Sequence, residues 1–84
     1  MWSRSMTLDD LKPGQKGTIS SINGGGPMAQ RLMTLGFLEG SEIAMLRKAL
    51  GGDPIEVQIM GYSLSLRRAE ARRIEVVASN AVGR

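Results

Sequence analysis

Ile55, Val57 and Ile59 alternate with Glu56, Gln58 and Met60, and beyond Gly61 the alternation resumes at Leu64 and Leu66. Successive side chains of a strand point to opposite faces, so this period of two describes a hairpin with one apolar face. A lone hairpin is marginal in water, and the rest of the chain must cover that face. The rest comes in short pieces. Glycine and proline interrupt it at Lys12-Pro13-Gly14, from Asn23 to Pro27, at Gly36 and Gly40, and from Gly51 to Pro54. Each interruption is a turn or loop signal.

The pieces are legible one by one. Lys16 to Ile22 reads as a strand in which Ile19 and Ile22 break strict alternation, as a bulge would. Pro27 to Leu35 reads as a helix, with Pro27 suited to its first position and Gly36 to a left-handed C-cap. Met28, Leu32 and Leu35 share one face of it. Glu42 to Ala49 is a second strand and Ile74 to Val77 a last one. Thr7 to Leu11, with Thr7 as N-cap, and Ala69 to Arg72 are single helical turns. That makes about five short strands and one short helix in 84 residues. Small open sheets leave edges exposed, which a closed or nearly closed barrel removes. The expected fold is mainly β: a small SH3-like barrel with the helix inserted between the first two strands. One domain is expected over 6–77, with an N-terminal extension at 1–5 and a flexible tail at 78–84.

Composition removes whole classes of chemistry. The chain has no cysteine and no histidine. Disulfide scaffolds, zinc ribbons, iron–sulfur clusters and histidine-assisted nucleophiles are excluded. The acidic residues fall in pairs at most, too few for a hard-cation site, and no carboxylate pair has a cleft to work in. No catalytic, cofactor or metal residue is assigned. Gly24 to Ala29 fits G-x-G-x-x-A, but a chain this short cannot supply the doubly wound fold that makes the motif a nucleotide cradle. No apolar run approaches a membrane span, and the N-terminus lacks the pattern of a secretory signal. A cytoplasmic domain with no direct membrane insertion is expected.

Two features remain as candidate surfaces. Arg67, Arg68, Arg72 and Arg73 cluster around Glu70. Single-strand nucleic-acid binders add aromatic stacking platforms to such a cluster, and this chain has only Trp2, Phe37 and Tyr62. The arginines are expected to form a solvated, partly ion-paired surface, and no nucleic acid is expected as partner. The second feature is the helix and its exit, Arg31 to Gly40. One helix face accounts for Met28, Leu32 and Leu35, leaving Met33, Phe37 and Leu38 either to cap the barrel or to form an adaptable apolar patch.

Taken in order, LDDLKPGQKGTI, RLMTLGFLEG, GGDPIEVQI and YSLSLRRAEARRIEV resemble the FeoA family of small proteins of bacterial ferrous-iron uptake. The carrying residues are Leu35-Gly36-Phe37 with Gly40, Gly52-Asp53-Pro54-Ile55, Leu66-Arg67, Glu70-Ala71 and Ile74-Glu75-Val76. Glu39 and Leu50 stand where the family often has proline. The resemblance implies an SH3-like barrel that works with FeoB, a membrane ferrous-iron transporter with a cytoplasmic GTPase domain. Docking is then expected through Leu32, Met33, Leu35, Phe37 and Leu38, with Gly36 holding the turn and Leu50 as a neighbour. Self-association stays open. The alternatives are a GTPase activator using Arg31, Arg47 or Arg67, a detached barrel like that of iron-dependent regulators, or a small basic nucleic-acid-binding barrel.

Overall fold

The computed structural model describes residues 6–79. The expected extension at 1–5 lies outside these residues, as does most of the expected tail. Six strands form one antiparallel sheet: β1 (Met6–Thr7), β2 (Lys16–Ile22), β3 (Glu42–Lys48), β4 (Ile55–Ile59), β5 (Tyr62–Leu66) and β6 (Ile74–Ala78). Helix α1 (Gly26–Thr34) separates β2 from β3, and the single turn α2 (Arg68–Ala71) separates β5 from β6. A 3₁₀ turn occupies Leu8–Asp10. The strand order is β1-β6-β2-β3-β4-β5.

Two corrections follow. There are six strands rather than five, because Met6 and Thr7 pair with Val76 and Glu75; two residues carry no period that a sequence could show. The sheet also does not close, since β1 and β5 end it without pairing to each other. It curls instead. The register slips between Ile19 and Ser21 against β6, and between Met45 and Arg47 against β4. One extra residue in a strand bends it and increases its twist. The first slip is the bulge that Ile19 and Ile22 announce. The second turns Leu46 outward, to 40% exposure.

The curled sheet encloses one core. Ile55, Val57 and Ile59 from β4, Leu66 from β5, Ile43 and Met45 from β3, and Ile74 and Val76 from β6 are all buried there. Leu8, Leu11, Leu32 and Phe37 close it from the flanks. No polar side chain among the described residues is buried, so the core pays no desolvation penalty for polar groups. The hairpin turn is Met60-Gly61, both at positive φ (54° and 84°), the pattern of the two-residue turn that matches strand twist. β6 runs through Ala78, and the Ser79 N–H donates to the Lys16 carbonyl at 2.9 Å.

Candidate functional site

Helix α1 ends in a fixed geometry. Gly36 has φ +105°. Its N–H donates to the Met33 carbonyl at 3.0 Å, and the Phe37 N–H donates to the Leu32 carbonyl at 3.0 Å. This pair of bonds is the Schellman arrangement, which satisfies helix-end carbonyls and brings the residues at its two ends into apolar contact. Those residues are Leu32 and Phe37, and both are fully buried. A third bond locks the end from outside: the Tyr62 hydroxyl donates to the Leu35 carbonyl.

The seven residues expected at the contact therefore divide. Leu32 and Phe37 are core and offer no free side-chain surface. Leu35 is half-buried against the same core. Gly36 holds the turn, as expected, with Met60 and the Tyr62 hydroxyl close against it. Met33 and Leu38 are each 47% exposed. They line a shallow groove of about 310 Å³ together with Ser21, Ile22 and Glu39, with the buried Phe37 beneath it. Leu50 is fully exposed, but on the loop between β3 and β4, which contributes nothing to that groove.

Sequence reasoning missed Ser21 and Ile22, which reach the groove from the end of β2. It also missed Met60 and Tyr62, exposed by 63% and 45% beside Gly36. The signal for Met60 is a methionine where a hairpin turn needs positive φ, since turn tips point away from the core.

Three of the four clustered arginines, Arg67, Arg68 and Arg72, are ion-paired. Arg68 and Arg72 place Nε 3.2 and 3.4 Å from Asp9 Oδ2. Lys48 joins them, with Nζ 3.9 Å from Asp9 Oδ1 and 2.6 Å from the Asp9 carbonyl. Arg31 pairs with Glu70, and Arg47 with Glu56 at 2.7 Å. Of Arg31, Arg47 and Arg67, Arg67 has the longest ion pair, 3.9 Å to Asp53, while Arg47 is slightly more exposed, 77% of its side chain against 73%. Among the described residues no group of three or more Asp or Glu side chains converges as a metal site.

A curled six-stranded sheet with a helix-capped flank and a shallow, largely apolar groove defines a small SH3-like domain. The FeoA domain family model matches residues 6–78, and the chain belongs to the FeoA family. It is 37% identical, over 90% of its length, to a Fe(2+) transport protein A/Fe(2+) transporter FeoB fusion protein of Porphyromonas gingivalis, of which it spans only 9%. An FeoA-like protein from Clostridium acetobutylicum superposes with a TM-score of 0.88 at 30% identity, covering 99% of this chain and 96% of that one. A Stenotrophomonas maltophilia FeoA, solved with zinc and described as an SH3 domain protein, superposes at 0.74 with 35% identity, over 90% of this chain and 92% of that one.

Proposed function

We propose that this chain is a non-enzymatic cytoplasmic accessory protein of ferrous-iron uptake, which docks on the cytoplasmic GTPase region of a FeoB-type transporter. The observation that carries the reading is the groove at the end of α1. Met33 and Leu38 stay half-exposed there, while the backbone around them is pinned by the Gly36 turn and by Tyr62. Apolar anchors on a rigid support supply affinity by desolvation at little ordering cost. The fusion relative, in which an FeoA part and a FeoB part share one chain, supports FeoB as the partner. No helix among the described residues is long and apolar enough to cross a membrane.

Leu38→Asp tests this. The exposed leucine contributes little to folding, so the melt should hardly change, while the dissociation constant should rise at least tenfold, about 1.4 kcal/mol. Unchanged binding would remove Leu38 from the interface. An amide chemical-shift titration with the GTPase region should move Met33 to Gly40.

One observation favours a second reading. Arg67 is loosely paired and mostly exposed, as an arginine supplied in trans to a GTPase would be, and such an arginine can raise turnover by about 10³ to 10⁵. GTP turnover unchanged at saturating protein would dispose of it; a rise abolished in Arg67→Lys would establish it.

A further inference from the structure

The loop between β3 and β4 holds Leu50 at 101% exposure. The exposure is built in. Gly51 and Gly52 take φ of +85° and +84°, values that disfavour any residue with a Cβ. The Gly52 N–H donates to the Ala49 carbonyl at 2.7 Å, and the Ala49 N–H to the Pro54 carbonyl at 2.9 Å. Leu50 thus stands at the tip of a backbone-closed turn.

Cations surround this tip. Arg47 shares a hollow with Ala49 and Pro54. A Cβ on Gly52 would stand 3.9 Å from the Arg68 guanidinium, and the Arg68 N–H donates to Asp53 Oδ1 at 3.1 Å. Arg67 lies 3.9 Å from Asp53. Lys48 and Arg72 meet Arg68 at Asp9. With Arg31 and Glu70, which share a hollow with Pro54 and Arg67, six cations face four carboxylates, Asp9, Asp53, Glu56 and Glu70, and the collar stays net positive. The groove of Met33 and Leu38 shares no residue with it.

We infer that this loop is a second docking element: Leu50 enters an apolar pocket rimmed by carboxylates on the same partner that the groove engages. The inference rests on the docking reading above. A central apolar anchor supplies affinity, and a charged rim supplies orientation and association rate. An anionic bilayer is the weaker fit, because stable attachment there takes two strong signals, and one leucine beside a collar of small net charge supplies neither in full.

The full-length chain and its Leu50→Ser, Leu38→Asp and Arg67→Gln variants are titrated by calorimetry, at low and high salt, with the GTPase region of a FeoB-type transporter. Leu50→Ser should raise the dissociation constant at least tenfold and keep the salt dependence. Arg67→Gln should flatten the salt dependence. Leu50 is fully exposed, so its replacement leaves the melt unchanged and any loss belongs to binding. If Leu50→Ser binds like wild type while Leu38→Asp does not, docking stands and the second element falls. If wild type shows no binding at about millimolar partner, both fall. Leu50-dependent sedimentation with phosphatidylserine vesicles, alongside unaltered partner binding by Leu50→Ser, overturns the protein pocket in favour of a lipid surface.

Discussion

Gly36 is where backbone conformation and packing constrain the same atom. At φ +105° a side chain is strained, and a Cβ would stand 3.4 Å from Met60 Cγ and 3.5 Å from the Tyr62 hydroxyl. Gly36→Ala should cost about 1–2 kcal/mol, lowering the melting temperature by roughly 4–16 °C in a domain of this size. An unchanged melt would show that the turn relaxes. Met60 presents the reverse case: a non-glycine residue at φ 54°. Asparagine tolerates that region better, so Met60→Asn should stabilise by roughly 0.5 kcal/mol or more, measurable by urea denaturation. Both positions adjoin the proposed contact surface, and melts run beside binding would separate the two effects.

Helix α1 illustrates how an element can be read correctly while its side chains are misplaced. Its span, its proline start and its glycine stop follow from Pro27 and Gly36, and the observed Gly26–Thr34 differs by one residue at each end. Periodicity puts Leu32 on the core face, where it lies. It cannot follow Phe37, because the chain leaves helical geometry at Gly36 and the Schellman bonds swing Phe37 back inside. Leu38, one residue further, is left half-exposed. What holds the helix end to the sheet is the Tyr62 hydroxyl on the Leu35 carbonyl. Tyr62→Phe keeps the ring and removes that bond, for a loss of about 1 kcal/mol. Hydrogen exchange should quicken at Gly36 and Phe37, whose N–H groups close the turn. No quickening would mean that the Schellman bonds hold without the strap.

Across the whole molecule, Asp9 ties distant parts of the chain together. Its side chain is 12% exposed and meets Lys48, Arg68 and Arg72, joining the first 3₁₀ turn to the end of β3 and to α2. Exposed pairs are worth little, but three cations on one sheltered carboxylate form a network. Asp9→Asn should destabilise by about 1–3 kcal/mol, and the loss should shrink as salt rises. Equal loss at all salt concentrations would point to the geometry of the turn instead of charge.

How much of the site could be read ahead follows from the range of the forces involved. Period-two alternation, the glycine and proline stops, the bulge near Ile19 and the lack of histidine and cysteine are local facts, and local sterics turn them into strands, turns and excluded chemistries. The family resemblance extends that reading because its motifs are mostly turn residues. Folding had to supply the rest. Met6 and Thr7 become a strand only because β6 offers an edge. Leu50 parts from Leu38 because the β3–β4 loop and the α1 exit line different surfaces. The four clustered arginines look alike in one dimension, yet two of them converge on Asp9, more than fifty residues away in sequence. The pairing of β1 with β6 sets the turn that carries Asp9 beside α2, and a pairing between the two ends of the described chain leaves no local trace in the sequence.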